Sequence, residues 1–512
     1  MLERKRRSAG FSLPVGFLIC CWLLSASPAG SRPAAVPDSG AGSVPASPSR
    51  SGRAFPLDPS APSVAVVHVD SLSHLRAPAR GPFPGAPLIV TVPLSDLPYG
   101  FHGGFESPSM QQSLQWRAGS TQLADQTIGW MWEALHPGLL RSFGTWGSLA
   151  LFNYMSVYLP LGGGWTHEEW HRAVLTSRGH PSYDGIYHWD IGAETISVDH
   201  VGDQDLSDLK AQHPADFTRL MEAGIESETE GGRLMRRNNF FLGRRSEYDM
   251  IDWWTTAVNG TLYIYICSVD DFDADLLQAN RNETRESQRD FTGLDFRAWV
   301  YDMRHPHEAY QDSPRGRIHP SGSGFDRYLL YSDLSANERG YLRLQAGLSL
   351  LNLVSPQMIG RDWLPGENPW GGQAFLWNFG LMHHLTPFGY DVGGDFLVRR
   401  GKWSWVFTAQ GLVNGEMLLP GLGGELYRYP LMAGSTEVFV TCGASAWLQP
   451  EDQLYQTTSV LPGASAKIGA AVPLRWSLEL FGEADAKTAG WVAGNVYLDA
   501  ALQARAGLQL RL

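Results

Sequence analysis

Cysteine is scarce in this chain: four in 512 residues, two of them adjacent at Cys20 and Cys21. Cys267 and Cys442 are too far apart and too few to make the framework of a disulfide-stapled fold. A basic surplus is also missing. Lys and Arg number 40 against 52 Asp and Glu, a formal net charge of −12, which argues against nucleic acid as a partner. No G-x-S-x-G elbow and no phosphate-cradling glycine loop occurs, so two large enzyme classes lack their signature. The acidic run Asp270, Asp271, Asp273 and Asp275 has neither the glycine nor the terminal glutamate of a calcium loop and reads as a solvated loop. Long apolar runs are few. The stretch from Ser142 to Thr166 carries no charge, but Asn153, Tyr154, Ser156 and three consecutive glycines dilute it. It reads as a buried core helix, as does the run from Met250 to Cys267 with its Asp252 and Asn259.

What is present falls into four segments. Arg4, Lys5, Arg6 and Arg7 precede an apolar stretch from Phe11 to Leu24 and then small residues as far as Ala29, the layout of a secretory signal over residues 1–29. Residues 30–62 are mostly Pro, Ala, Ser and Gly, which bury too little apolar surface to offset the entropy of ordering, so a disordered linker is expected. Residues 63–365 have helical periodicity and most of the histidines. From about residue 366 to 512 the pattern changes to period two. Trp403, Trp405, Phe407 and Ala409 interleave with Ser404, Thr408 and Gln410, and Leu478, Leu480, Gly482 and Ala484 with Glu479, Glu483 and Asp485. Strands of soluble domains average about five or six residues, whereas a membrane-crossing strand needs about 9–11. Several runs reach the longer figure. With 19 Trp and 22 Phe in the chain, the region resembles the C-terminal part of an outer-membrane antiparallel β-barrel of about eight strands, although it ends on Leu512 where such barrels usually end on an aromatic. A soluble sandwich or lipocalin-like barrel is the other reading.

The residues that point to chemistry are HEEWH at 167–171. On a helix, His167 and His171 present two imidazoles on one face, and Glu168 between them is placed to take a proton from water. At about 100° per residue the two histidines share a side with Trp170, Val174 and Leu175 and should be buried. Thr166 and Glu169 have the spacing of a capping box that would start a helix at this point, which leaves the histidines unexplained. Hydrogen-bonded core histidines remain the alternative to metal ligands. A catalytic zinc needs a third protein ligand. Ser177 stands where an extended motif would have a histidine, and His180 is off that spacing. Downstream, Phe217, Leu220, Met221, Gly224 and Ile225 define an apolar stripe, with Glu228 at its centre and Glu226 and Glu230 opposite. A lone carboxylate on an apolar face is costly unless it binds a metal or a partner. Glu228 is therefore the expected third ligand, Glu226 is held in reserve should a glycine kink rotate the helix, and an ion pair of Glu228 with Arg172 or Arg233 is the alternative.

The HEEWH helix followed by a Glu-bearing helix, residues 167–237, resembles the gluzincin-like zinc metallopeptidases. That resemblance implies zinc held by His167, His171 and Glu228, Glu168 as general base and a peptide or protein substrate. His188 or His200 is the candidate electrophile. The expected molecule is thus an α+β multidomain protein: a mainly helical zincin-like middle domain followed by a C-terminal antiparallel β-barrel, in the cell outer membrane against lipid, with the helical domain in the periplasm. The second expectation, from another class, is a non-catalytic barrel protein with a helical binding or scaffolding domain.

Overall fold

Period-two alternation carries the C-terminal third into long strands, and their pairing dominates the fold. The computed structural model describes residues 88–104, 106–135, 138–188, 196–243, 246–366, 375–474 and 477–511; the expected signal and linker lie outside these. Strand β1 (Ile89–Leu97) comes first. Helices α1 (Met110–Leu135), α2 (Leu139–Ser156) and α3 (Gly163–Ser177) follow. A pair of two-residue antiparallel strands, β2 (Tyr183–Asp184) and β3 (Val198–Asp199), leads to α4 (Asp203–Gln212) and α5 (Pro214–Leu242). Then come α6 (Ser246–Ile266), α7 (Asp273–Asn282), α8 (Asp295–Arg304) and α9 (Ala336–Ser349). Strand β4 (Leu364–Gly366) opens the series β5 (Phe375–Thr386), β6 (Gly389–Arg400), β7 (Trp403–Asn414), β8 (Met417–Ala433), β9 (Thr436–Pro450), β10 (Val460–Pro473), β11 (Leu478–Lys487) and β12 (Ala501–Arg511).

The strands form one ten-stranded antiparallel sheet in the order β1-β12-β11-β10-β9-β8-β7-β6-β5-β4. Strands β5 to β12 are 10 to 17 residues long. Two features depart from expectation. First, β1 comes from the segment expected to be helical and pairs with β12, Ile89 opposite Arg511. Second, the sheet is not closed: β1 and β4 lie at its two ends among the described residues. Strand β4 is three residues long with Pro365 at its centre, too short and too poor in donors to extend the ladder. The sheet does curl. Arg428, at the bulge in β8, reaches Glu479 on β11 at 2.6 Å and Gln509 on β12 at 3.1 Å, three and four strands away.

Over much of the sheet the alternation puts polar residues inside and apolar residues outside, although Leu397, Val406, Leu412, Leu419 and Trp447 are buried. The polar set turns inward: Asp395, Glu425, Glu479, Lys487, Gln503 and Gln509 are all buried. The apolar set turns outward, with Leu422 69 %, Ile468 62 % and Leu502 73 % exposed. Helix α5 runs along the inner side and neutralises it. Arg233 and Arg236 reach Asp395 on β6 at 2.8 and 3.4 Å, and Arg237 bonds Glu425 on β8, which also takes Lys467 of β10 at 2.8 Å. A cavity of 420 Å³ lies between this helix, α1 and the inner faces of β7 to β12. The apolar side of α5 faces the other way, into the main core of Trp170, Val174, Phe217, Leu220, Trp299 and Val300. Leu385 of β5 belongs to the same core, and the Trp299 indole donates to the Thr386 carbonyl at 3.0 Å.

The charge-free stretch is not the single buried helix expected. It divides into α2, which buries only Leu149 and Asn153, and α3, with the chain turning between Val157 and Gly162. Helix α6 likewise leaves Trp254 and Tyr265 about half exposed. No described helix is long and apolar enough to cross a membrane.

Candidate metal centre

HEEWH lies inside α3 rather than at its start. The helix begins at Gly163 with Gly162 as its cap, and the Thr166 hydroxyl donates to the Gly162 carbonyl at 2.9 Å, so the expected capping box does not form. Glu169 is instead buried against Arg172 at 2.6 Å and accepts from the Tyr187 hydroxyl at 2.9 Å. That leaves His167, Glu168 and His171, all buried as expected, where α3 crosses α5.

The crossing is close because residue 224 has no side chain. A Cβ at Gly224 would fall 2.2 Å from Nε2 and 2.4 Å from Cδ2 of His167. Two packed helices cannot yield that distance cheaply, and overpacking of this kind costs about 1–3 kcal/mol. Gly224→Ala is therefore expected to lower the unfolding free energy by about 1–3 kcal/mol and to displace the His167 ring, seen as an altered ring signal in the histidine NMR spectrum.

Each histidine turns its Nδ1 to an acceptor and its Nε2 to the same carboxylate. His171 Nδ1–H donates to the Leu220 carbonyl at 2.5 Å. A carbonyl only accepts, so this bond places a hydrogen on Nδ1, and in the neutral ring the lone pair is then on Nε2. That buried Nε2 has no hydrogen bond and lies 3.4 Å from Asp295 Oδ2. His167 Nδ1 lies 3.4 Å from Glu228 Oε1, and its Nε2 is 3.1 Å from the same Asp295 oxygen. Asp295 is the first residue of α8, fixed there by its own N–H donating to the Tyr263 hydroxyl at 3.2 Å. The ring of Phe291 closes the side next to His171, centroids 5.2 Å apart. His167, His171 and Asp295 thus bring three donor atoms within 4.8 Å of one another, all buried.

No family model matches this chain, and neither the curated proteins nor the solved structures hold a match.

The donor set suits a divalent cation. Ligand bonds of about 2.0–2.1 Å at a tetrahedral angle put donor atoms about 3.3 Å apart, close to the 3.1 and 3.4 Å separating Asp295 from the two imidazoles. Glu228 then has the place of the outer carboxylate that orients a metal-ligating histidine through its far nitrogen. Neither Glu228 nor Asp295 is paired with an arginine or lysine among the described residues. Arg172 is taken by Glu169, and Arg233 by Asp395 and Glu230. Glu226 is turned away from the histidines, bonded to Arg219 at 3.1 Å and to the Gly494 N–H at 2.6 Å. His188 and His200 form a separate grouping at the β2–β3 pair, at 2.9 and 2.5 Å from the two oxygens of Asp199.

The electrostatics follow from burying carboxylates together. Burial, with Asp295 and Asp290 nearby, pushes the Glu168 carboxyl well above its usual range, although His167 opposes the shift. Asp290, buried and facing Asp295, is pushed up to about 7. Burial would raise Asp295 too, but the two histidines overcome it and hold it below the ordinary carboxylate range. Asp295 is the residue that sequence reasoning missed. It lies 128 positions beyond His167, at the start of a helix, with no spacing that ties it to HEEWH.

Proposed function

We propose that the chain is a membrane-associated zinc-dependent hydrolase of the bacterial cell envelope that cleaves peptide bonds. The observation that carries the metal reading is the convergence of His171 Nε2, His167 Nε2 and Asp295 Oδ2 in a buried cluster where His171 Nε2 has no hydrogen bond. His167, His171 and Asp295 would hold the ion, and Glu228 would orient His167 from outside. A zinc ion there supplies Lewis acidity, polarising a carbonyl and easing loss of a proton from water. The remaining work belongs to the chain: the Leu220 carbonyl keeps His171 in the ligating tautomer, Phe291 and Tyr263 shield the site, and Glu168 accepts the proton from the attacking water and passes it to the leaving amine.

The inverted sheet supports the membrane part of the proposal. A ten-stranded sheet with buried charges inside and exposed leucines and isoleucine outside fits hydrocarbon on its outer surface. We read it as a barrel-like wall in the outer membrane, with α5 filling its interior. A second reading draws on the depth of the cluster, since His171 is 1 % exposed: a structural metal that braces α3, α5 and α8 in a non-catalytic protein.

Elemental analysis of the purified full chain beside a His167→Ala/His171→Ala variant tests the metal. About one zinc per chain, lost in the variant, supports the proposal, and none in protein kept free of chelators ends it. Glu168→Gln separates the two readings. Catalysis predicts that the metal stays and peptide cleavage falls about 10²–10⁴-fold; a structural metal predicts no cleavage by either protein.

A further inference from the structure

The inversion seen on the sheet continues onto the helices. On α1 the polar residues Arg117, Gln122 and Asp125 are buried while Trp130 and Leu135 are 52 % and 64 % exposed. Helix α2 contains one charged residue, Arg141, and exposes Leu139 78 %, Phe143 73 % and Leu151 62 %. Inside, Arg117 pairs with Asp252 of α6 at 3.2 Å and donates to Thr256 at 3.1 Å. Water as the outer solvent would favour the opposite arrangement.

Helix α1 also reaches one of the places where the sheet is open, and α2 packs on α1, where the Trp132 indole donates to the Ser148 hydroxyl at 2.9 Å. Helix α1 lies directly on the edge strand β1: a Cβ at Gly119 would be 2.9 Å from the Val90 side chain, and the Ile89 N–H donates to the buried Gln122 side chain at 3.1 Å. At the opposite edge β4 covers only the first residues of β5. Beyond it, the free groups of β5 are taken by the segment after α9. The Leu381 N–H donates to the Val354 carbonyl at 2.9 Å, and the His383 N–H to the Asn352 side chain at 2.7 Å. An unpaired sheet edge is intolerable in hydrocarbon unless protein covers it. Both edges here take hydrogen-bond partners from the helical part, Gln122 for β1 and Asn352 and Val354 for β5.

We infer that α1 and α2 complete the lipid-facing wall, a helical hairpin that seals the seam of the open sheet and sits in the same hydrocarbon layer as its outer face. The inference rests on the lipid-facing reading of the sheet. No described helix is long and apolar enough to cross a membrane alone; α1 turns Arg117, Gln122 and Asp125 inward, and the exposed charges of α1 and α2, Glu133 and Arg141, pair with each other at 3.7 Å.

Single-cysteine reporters on the full chain, with Cys20, Cys21 and Cys442 replaced by Ala and the buried Cys267 kept, test this. Leu140→Cys and Phe143→Cys mark the hairpin, Leu422→Cys and Ile468→Cys the sheet, and Gln204→Cys the aqueous side. Each carries an environment-sensitive fluorophore in phosphatidylcholine vesicles containing nitroxide-labelled lipid, with iodide as the aqueous quencher. Expected is lipid quenching of the hairpin labels within about twofold of the sheet labels, with the Gln204 label quenched only by iodide. Iodide quenching at the hairpin beside lipid quenching at the sheet overturns the inference and leaves the sheet reading intact. Shielding of the hairpin from both quenchers also overturns it, since a protein partner or a second copy would then cover that face. Iodide quenching at every label removes the sheet reading and the inference together.

Discussion

Asp295→Ala is expected to abolish stoichiometric metal binding, while Glu228→Gln only weakens it. The two carboxylates have comparable burial and both touch His167, but they meet different nitrogens. Asp295 Oδ2 faces the Nε2 atoms of both histidines, at 3.1 and 3.4 Å, and no other carboxylate is grouped with that pair among the described residues. Without it two imidazoles remain, too few for a tight site. Glu228 stands 3.4 Å behind Nδ1 of His167, where loss of an orienting partner costs about 10–100-fold in affinity. Competition titration with a chromophoric chelator, run on both variants beside the unaltered protein, measures the difference. The reverse ranking, with zinc lost from Glu228→Gln and kept by Asp295→Ala, would restore the ligand set that the resemblance to gluzincins implies and remove the one argued from the geometry.

How much of this site could be read in advance depends on how local each contact is. The face shared by His167 and His171 is a matter of four residues on one helix, and the turn of Glu228 toward them follows from the apolar stripe of α5, which stays one helix through Gly224, Gly231 and Gly232. Asp295 has no such handle. Its position is set by the packing of α8 into the core through Trp299 and Val300 and by the loop that carries Asp290 and Phe291. The strands divide in the same way. Period-two alternation locates β7 and β11 and sorts their residues into two faces, but alternation is silent on which face meets solvent. That is decided by α5, whose arginines require acids opposite them. Strand β1 alternates only briefly before Pro93 and finds its partner at the far end of the chain, pairing Ile89 with Arg511. The charge-free stretch misled for a related reason: freedom from charge marks a segment as apolar, and an apolar segment can lie beneath a protein surface or on it, as α2 does.

Asp395→Ala is expected to be the most destabilising single change on the sheet. The carboxylate is 2 % exposed on the inner face of β6 and takes the Nε and Nη2 hydrogens of Arg233 at 2.8 and 3.1 Å, that of Arg236 at 3.4 Å, and the Thr408 hydroxyl at 2.7 Å. Arg236 has no second carboxylate among the described residues, and its chain lies against Gly380 of β5, where a Cβ would come within 2.1 Å of Nη1. It cannot swing to solvent without separating α5 from the sheet. Removing one member of a buried pair leaves the other as an uncompensated charge, at a cost of about 3–5 kcal/mol. Arg233 keeps Glu230 at 3.5 Å, so most of the penalty falls on Arg236, and Arg236→Met in the Asp395→Ala background should recover about half of it or more by removing that charge. Denaturant unfolding in detergent, followed by tryptophan fluorescence on the two single variants and the double, gives the coupling directly. Losses that simply add would mean that helix and sheet are held together by their apolar contacts, with the charge ladder as a passenger. A strongly sub-additive double variant would show that the inward-facing acids of the strands hold α5 in place, and through it the His167 side of the metal centre.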